Sequence, residues 1–502
     1  MERQRTRQVM LALTLAGGLL LTGCGAGDSG DSSANKARGG SNAPAFPAPD
    51  QPQGEQHSDG SREVTPSPDY LSTFALDVDT ASYGYARRTL ADGQHPAPST
   101  IRPEEFVNSF RQDYKRPDGN GFTVTVDGAR TDRDDWSLVR VGLATRSAPD
   151  NADDRAPAAL TFVIDISGSM SEPGRLDLAQ RSLDTMTKRL RDDDSVALVT
   201  FSDKARKVLP MTRLGGHRDR IREAIDSLEP TYSTNLGAGV ETGYKTAVEG
   251  LRKGATNRVV LISDALANDG ETDADAILHR IDTARREHGI TLFGIGVGSD
   301  YGDALMERLA DKGDGHTVYV SGDDAEKVFC EQLPQNIDLT ARDAKAQVAF
   351  DPATVASFRL IGYDDRRVAD DDFRDDRVDG GEVGPGHTVT ALYAVHTRPG
   401  ADGHLATATV RWQDPKTRAP HENSAALETF DGSLREANPR FQVDAVAAYF
   451  ADALRDDADN HLPGRPSLSE LADWAEKLAD RTEDSAVRQL ADTIRQARQL
   501  SD

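Results

Sequence analysis

The chain has 502 residues, with 59 Lys and Arg against 83 Asp and Glu, and so a formal net charge of −24. This length predicts about three domains, and the acidic balance argues against binding to nucleic acid, which needs a basic surface. The two cysteines, Cys24 and Cys330, are too few for a disulfide framework. Cys330 lies in a predicted amphipathic helix and is interpreted as a buried apolar residue, not as a nucleophile.

The first 66 residues are predicted to form a targeting signal and a tether. Residues 1–23 combine a basic start with a short apolar core, the pattern of a secretory signal peptide. Leu21-Thr22-Gly23-Cys24 resembles the lipobox of bacterial lipoproteins, in which the cysteine becomes the lipidated first residue; a cleaved signal without lipidation is the alternative. Residues 24–66 are rich in Gly, Ser, Asp and Pro and predict a disordered tether. Since no other segment is apolar over about 18 residues, a lipid anchor alone is expected to hold the protein on the extracytoplasmic side of a bacterial membrane.

Residues 67–150 are predicted to form an N-terminal flanking segment of mixed α and β structure. The expected elements are a strand at Leu71–Asp79, a helix at Ala81–Leu90 capped by Thr80 or Asp79, a helix at Arg102–Phe110 with Pro103 near its start, and half-buried strands at Phe122–Val126 and Ser137–Leu143. Asp77, Asp79 and Tyr83 invite a metal assignment, but a helix cap and a packing contact are the favoured interpretation.

Residues 155–335 alternate predicted strands with predicted helices. The strands are expected at Leu160–Asp165, Ser195–Phe201, Arg258–Ser263, Thr291–Val297 and Thr317–Val320, with an antiparallel edge strand at Lys207–Met211. The helices are expected at 175–190, 218–228, 237–251, 273–288, 302–311 and 323–333. This alternation predicts an α/β fold with a central, doubly wound, mostly parallel sheet covered by helices on both faces.

Residues 336–435 form a predicted β-rich segment, and residues 436–502 form a C-terminal helical segment. The strands are expected at Lys345–Phe350, Ser357–Gly362, Thr388–His396 and Ala406–Gln413, and the helices at Phe441–Leu454, Leu468–Leu478 and Ala486–Leu500. The acidic loop from Asp364 to Glu382 lacks the spacing of an EF-hand, so a solvated loop is favoured over a calcium site. Because the central domain separates two β-rich pieces, those pieces are candidates for joining into one domain.

Polar side chains follow the predicted central strands at the point where the strands end. Asp165, Ser167 and Ser169 follow the first strand, Asp264 follows a later one, and Thr234 lies in a loop between two helices. Loops at the carboxyl edge of such a sheet converge, so we expect these residues to surround one point. Carboxylate and hydroxyl oxygens suit a hard divalent cation, Mg²⁺ more than Zn²⁺. The alternative is a set of loops without a functional metal.

These five residues resemble the metal-ion-dependent adhesion site of von Willebrand factor type A (VWA) domains. The family pattern is Asp-x-Ser-x-Ser with a distant Thr and a distant Asp, matched here by Asp165, Ser167, Ser169, Thr234 and Asp264. The resemblance implies that the hydroxyls contact the metal in ligand-bound states, that the carboxylates act directly or through water, and that a free position accepts a partner's carboxylate. Mg²⁺ is the expected ion, with Ca²⁺ and Mn²⁺ as alternatives. Ala265 departs from the family's usual Gly.

The flanks resemble those of a bacterial group of VWA lipoproteins. Asp77–Tyr83 and Ile101–Asn108 are similar to the group's N-terminal segment, and Leu360–Tyr363 and the last helices are similar to its C-terminal segment. Members are often labelled as homologues of calcium-activated chloride channels. That label implies little here, because the sequence contains no membrane span from which to build a pore.

Three functions are consistent with these features. The favoured one is a cell-envelope module, not an enzyme, whose metal binds a protein or peptide that presents Asp or Glu. The second is a scaffold or chaperone-like component of an envelope assembly, in which the metal fixes conformation. The third is a metal-dependent hydrolase, for which no general base can be named. Gly294–Gly298 lacks the order of a dinucleotide-binding motif, so no nucleotide is expected.

Overall fold

The computed structural model describes residues 70–132, 136–147, 155–264, 274–297, 306, 309, 317–320, 339–378, 380–400, 402–430, 432–455 and 462–501. Cys24, the predicted tether, Ala265, Cys330 and the helix predicted at 323–333 lie outside these residues. Of the helix predicted at 302–311, Met306 and Leu309 are described, and both are helical and buried. Over the described ranges, no helix combines the length and the apolar character needed to cross a bilayer.

The secondary structure begins with a strand at residue 71 and ends with a helix at residue 501. The strands are β1 Leu71–Ala75, β2 Phe122–Arg130, β3 Trp136–Thr145, β4 Ala158–Asp165, β5 Ser195–Phe201, β6 Ala205–Arg213, β7 Thr256–Ser263, β8 Thr291–Val297, β9 Thr317–Val320, β10 Ala341–Phe350, β11 Val355–Ile361, β12 Gly381–Val383, β13 Thr388–Thr397, β14 Ala406–Gln413 and β15 Pro420–Leu427. The helices are α1 Ala81–Ala91, α2 Pro103–Asn108, α3 Leu176–Arg189, α4 Arg218–Asp226, α5 Leu236–Glu249, α6 Ala274–His288, α7 Pro439–Arg455, α8 Leu468–Thr482 and α9 Ser485–Ser501. β12 and β15 have no counterpart among the predicted strands.

A six-stranded sheet forms the centre of the chain, in the order β6-β5-β4-β7-β8-β9. Neighbouring strands run parallel, except that β6 pairs antiparallel with β5 at one edge. α3 and α4 pack apolar side chains on one face of the sheet, and α5 and α6 pack on the other. The strands are therefore buried on both sides, which explains their nearly continuous apolar runs. The predicted α/β class and the predicted edge strand are confirmed.

Residues before and after this central sheet share two further sheets. β1 pairs antiparallel with β10, and β3 pairs antiparallel with β13. The first sheet has the order β1-β10-β14-β15 with β12 added on β10, and the second has the order β11-β13-β3-β2. Apolar side chains of both sheets, such as Val141, Tyr393 and Val348, form one shared core. The flanking segments thus build a single β-sandwich into which the central domain is inserted.

The strand β3 is more deeply buried than its alternating sequence predicts. Every residue from Ser137 to Thr145 is buried, including Arg140. The cause is a third layer, because helices α1, α2 and α7 to α9 cover the sheet face that points away from the sandwich core. Leu138 and Leu392 pack there against helical residues such as Phe106 and Phe441. The expectation of a half-buried strand is therefore wrong.

The segment before α1 does not use its acidic side chains as helix caps. Thr80 is the N-cap residue of α1, and its side chain makes no cap hydrogen bond. Asp77 instead accepts a hydrogen bond from Arg366 Nε at 3.2 Å, and Asp79 Oδ1 accepts one from the backbone N–H of Thr317 in β9 at 3.0 Å. The cap prediction is wrong, whereas the packing contact predicted for Tyr83 is confirmed by its neighbouring aromatic rings. Asp79 thus joins the sandwich to the central sheet.

Glu104 in α2 makes stability depend on pH. Its side chain is buried, and within the described part of the chain its Oε2 has no hydrogen-bond partner. Burial, reinforced by the charge of Asp77, raises its pKa from 4.5 to about 7. Because the folded pKa lies above the unfolded one, the contribution of this group to stability is full below pH 4.5 and is lost as the pH rises through 7.

We therefore expect Glu104→Gln to gain stability relative to the wild type by about 2 kcal/mol between pH 5 and pH 8. Urea unfolding at the two pH values measures this difference. Glu436→Gln, at an exposed position, serves as the matched control and should show no such gain. A Glu104→Gln effect that is equal at both pH values would contradict the prediction.

Candidate metal site

The parallel pairing of the central strands places the predicted site residues at one sheet edge. β4 and β7 are neighbours in register, with Ile164 opposite Ile262. Asp165, the last residue of β4, and Asp264, which follows β7, therefore leave the sheet side by side. The loop after β4 is also joined to β5, because the N–H of Ile166 donates to the carbonyl of Phe201 at 3.0 Å.

Asp165 lies at the bottom of the site, with 0% of its surface exposed. Its Oδ1 accepts a hydrogen bond from the N–H of Ser167 at 2.8 Å, and its Oδ2 accepts one from Ser263 Oγ at 2.6 Å. Burial raises the pKa of Asp165 to about 6, although these two donors lower it. The protein therefore leaves the negative charge of this carboxylate only partly compensated, which favours a bound cation.

A short turn brings the two serine hydroxyls together above Asp165. The backbone forms a 3₁₀ turn over Gly168–Ser171, and the N–H of Met170 donates to the carbonyl of Ser167 at 3.1 Å. Ser167 Oγ and Ser169 Oγ are 3.1 Å apart. Met170 is buried in the core beneath the turn. An apolar anchor thus holds two neutral oxygen donors beside a buried carboxylate.

The loop that carries Thr234 is tied to both neighbouring strand ends. The N–H of Thr231 donates to the carbonyl of Ile166 at 2.6 Å, and the N–H of Asn235 donates to the carbonyl of Ser202, which follows β5, at 2.7 Å. Asn235 then caps α5 by accepting a hydrogen bond from the N–H of Ala238 at 3.0 Å. Thr234 is buried between these two anchors. The structure therefore brings all five predicted residues to the same edge.

Two residues of the site were not predicted from the sequence. Ser263 orients Asp165, and Arg175 Nη1 donates to Asp264 Oδ2 at 2.8 Å. Arg175 is the N-cap residue of α3, where the helix dipole disfavours a positive charge. An arginine at the start of a helix, six residues after Ser169, is the sequence signal that could have indicated a buried acidic partner.

The donors fit a hard divalent cation. They are carboxylate and hydroxyl oxygens, the ligand types that Mg²⁺ and Ca²⁺ prefer, and none of the five residues carries a thiol or an imidazole. Across the described residues there is no group of three or more His, Cys, Asp and Glu side chains that could hold a metal. A cation at this edge would thus depend on the hydroxyls as much as on Asp165 and Asp264.

Two glycines let α5, and with it the Thr234 loop, approach the sheet. A Cβ at Gly243 would lie 2.3 Å from Val163 Cγ2, and one at Gly239 would lie 2.6 Å from the ring of Phe201.

We expect Gly243→Ala to lower the free energy of unfolding by about 1–3 kcal/mol, because overpacking outweighs the helix propensity of Ala. Urea unfolding measures the change. Gly84→Ala in α1, whose added Cβ would lie 3.6 Å from its nearest neighbour, is the control and should be neutral or stabilising.

Comparisons with known proteins agree with this architecture. The von Willebrand factor type A domain model matches residues 159–332, and the model described as "Uncharacterized protein YfbK, C-terminal" matches residues 336–403. A von Willebrand factor model matches residues 54–139. The protein YfbK of Escherichia coli (strain K12) is 37% identical over 444 residues, which cover 83% of this chain and 76% of YfbK. The chain belongs to the YfbK family of VWA-domain proteins.

Other matches to this YfbK-family chain are more distant in sequence. The protein sll0103 of Synechocystis is 24% identical over 206 residues, covering 40% of this chain and 47% of that protein. Among solved structures, the von Willebrand factor type A protein from Catenulispora acidiphila has a TM-score of 0.48 at 16% identity, covering 76% of this chain and 91% of that one. The resemblance to VWA proteins inferred from the motif is confirmed by the family assignment.

Proposed function

We propose that this YfbK-family protein is a binding module of the bacterial cell envelope and not an enzyme. Asp165, Ser167, Ser169, Thr234 and Asp264 would hold a divalent cation, with Mg²⁺ as the favoured ion, and the cation would accept a carboxylate from a protein partner. Cys24 would carry the lipid anchor that keeps the module on the extracytoplasmic side. The observation that carries the proposal is the buried, partly compensated carboxylate of Asp165 beside two convergent serine hydroxyls.

The residues of the chain prepare the site before a cation arrives. Ser263 and the N–H of Ser167 fix the carboxylate of Asp165, and the two backbone anchors at Thr231 and Asn235 fix the loop of Thr234. When bound, the cation supplies an electrophilic position that an acidic side chain of the partner can fill. Because these donors are already in place, little conformational entropy is lost when the cation and the partner bind, and the affinity for the partner is correspondingly higher.

Metal removal tests the proposal directly. The protein is immobilised and exposed to envelope extract in Mg²⁺ buffer, then washed with EDTA, and Mg²⁺ is restored in a second cycle. We expect one protein to be captured with Mg²⁺, released by EDTA and recaptured when Mg²⁺ returns. Capture that is indifferent to EDTA in every cycle would contradict a cation-bridged contact.

Tyr232 lies at the rim of the site and is 88% exposed, more than any other large apolar side chain that the structure describes. It is held rigidly, because Thr231 on one side and Asn235 on the other are bonded to neighbouring strand ends, and Ser233 has a φ of +63°. Rigid exposed aromatic residues are frequent anchors of protein interfaces. We infer that Tyr232 contacts the partner beside the carboxylate.

Tyr232→Ala should therefore weaken partner capture by about tenfold or more while leaving Mg²⁺ affinity unchanged. Titration of the captured partner against both proteins measures the first effect, and calorimetry with Mg²⁺ measures the second. Leu251→Ala is the matched control, since Leu251 is also exposed but precedes β7 and so lies near the opposite sheet edge. If both variants lose the same affinity for the partner, Tyr232 does not contact the partner.

A scaffold role is the second proposal, favoured by the bond from Asp79 to β9 that joins the sandwich to the central domain. In that role the cation would stabilise conformation and would not bridge a partner. EDTA would lower the unfolding temperature under both proposals. In a scaffold it would leave partner capture intact, whereas cation-bridged binding predicts release, so partner capture separates the two proposals.

A further inference from the structure

Arg175 places a buried positive charge inside the proposed cation site. Its side chain is 3% exposed, and Nη1 donates to Asp264 Oδ2 at 2.8 Å and to the carbonyl of Ser169 at 3.3 Å. Nη2 contacts Glu172 Oε2 at 2.8 Å. The guanidinium therefore touches two of the five residues proposed to hold the cation.

The surroundings of Arg175 show that this contact belongs to the site and not to the surface. Burying a guanidinium is costly unless it is paired and hydrogen-bonded, and the N-terminal end of α3 adds an unfavourable helix dipole. Asp264 is fully buried and so its charge is little screened, whereas Glu172 is 62% exposed and is screened by water. Asp264 is thus the stronger electrostatic partner of Arg175.

We propose that Arg175 is a positioning residue that sets the charge of the cation site and holds Asp264 in place before the cation binds. This inference rests on the cation-binding function proposed above. With Asp165 and Asp264 ionised, the buried site carries a net charge of minus one because Arg175 offsets one carboxylate. A divalent cation then makes the occupied site positive, whereas the same site without Arg175 would be neutral.

Two consequences follow from this charge. Arg175 repels the incoming cation and weakens its binding, so occupancy remains reversible. The same residue leaves the occupied site with an excess positive charge, which strengthens the attraction for a partner's carboxylate. Arg175 thus lowers the affinity of the site for the cation and raises the affinity of the occupied site for an acidic ligand. The partner that suits this site is one that presents an exposed carboxylate.

The test uses Mn²⁺ as the cation and acetate as the carboxylate, on the full chain. Mn²⁺ affinity is measured by electron paramagnetic resonance, and acetate affinity of the Mn²⁺-loaded protein is measured by water-proton relaxation. We expect Arg175→Gln to bind Mn²⁺ about tenfold or more tightly than the wild type and to bind acetate about fivefold or more weakly. Arg175→Lys keeps the charge and should lie close to the wild type in both measurements.

The control variant is Arg181→Gln, which removes one positive charge from an exposed position of the same helix. Both affinities should match the wild type, because solvent screens this charge. Circular dichroism and the unfolding temperature, both measured without metal, show whether each variant is folded. If Arg175→Gln does not fold, Arg175→Lys still tests the inference. In that case a Lys variant that binds both ligands as the wild type does would support the charge role, and one that loses either would overturn it.

The outcomes separate this inference from the proposed function. If the wild type binds Mn²⁺ and Arg175→Gln binds it equally or more weakly, the role of Arg175 is overturned and the metal site stands. If only Arg175→Gln binds Mn²⁺, the guanidinium occupies the cation's place in the natural chain, which overturns both the charge role of Arg175 and cation-bridged binding. If neither protein binds Mn²⁺, both are overturned.

Discussion

Asp165→Ala is expected to abolish divalent cation binding, with a loss in affinity of more than about 100-fold. Asp165 is fully buried at the centre of the proposed site, and its two oxygens accept from Ser167 and Ser263. Isothermal titration with Mg²⁺ and with Mn²⁺ measures the affinity. A second measurement is the unfolding temperature, which a saturating cation should raise in the wild type but not in the variant.

Two further variants make this result interpretable. Asp165→Asn keeps an acceptor for the N–H of Ser167 while removing the charge, so it should lose cation binding with less damage to the fold. Asp203→Asn removes a carboxylate from an exposed position just after β5, at the same sheet edge, and should bind cations as the wild type does. Retained Mg²⁺ affinity in Asp165→Ala would rule out this site.

The second large effect is expected at Arg140, which connects the sandwich to its helical layer. Arg140 Nε and Nη2 form a two-pronged contact with Asp127 on β2 at 2.9 and 2.6 Å, and Nη1 donates to Asp444 on α7 at 3.0 Å. The guanidinium also lies 5.2 Å from the ring centroid of Tyr114 and 4.9 Å from that of Phe441. Asp444 is fully buried, so its charge depends on this arginine.

Arg140→Met should lower the free energy of unfolding by about 3–5 kcal/mol, because it leaves the buried charge of Asp444 unpaired. Urea unfolding measures the change. Arg488→Met, which removes an exposed ion pair from α9, should cost less than about 1 kcal/mol and controls for the substitution itself. The double change Arg140→Met with Asp444→Leu should recover most of the loss, since the fully buried charge of Asp444 is gone and the side chain of Asp127, which is 22% exposed, remains in contact with water. A small effect of Arg140→Met alone would contradict the argument.

The sequence alone was sufficient for the strands of the central sheet and for naming five candidate site residues at one edge of it. β5, β8 and β9 occupy the predicted ranges, because strands buried on both faces leave continuous apolar runs that local pattern reading detects. The site residues directly follow such runs or sit in a short polar loop. Parallel strands then imply a shared edge, so Asp165 and Asp264 were expected to be neighbours before their positions were known.

The contacts that orient the site required the tertiary structure. The pairing of Arg175 with Asp264 spans 89 residues, and the bond from Ser263 to Asp165 spans 98. Periodicity shows which residues are buried, but it does not show which buried polar group will meet which partner. The cap predicted at Thr80 or Asp79 is wrong for the same reason. The side chain of Asp79 accepts a hydrogen bond from the N–H of Thr317, which lies in a distant strand.

What the sequence by itself determined is local: the runs that form the central strands and helices, the Asp-x-Ser-x-Ser motif at a strand end, and the resemblance to VWA domains. What only the tertiary structure decided is the union of the two flanks, in which Phe74 of β1 lies opposite Ala346 of β10 across the whole inserted domain. The alternation of apolar and polar residues in a strand shows that one of its faces is buried. The backbone N–H and C=O groups that pair with a neighbouring strand are the same in any sequence, so they do not identify that neighbour. The choice of partner strand therefore depends on how the layers pack, as does the deep burial of β3 and Arg140.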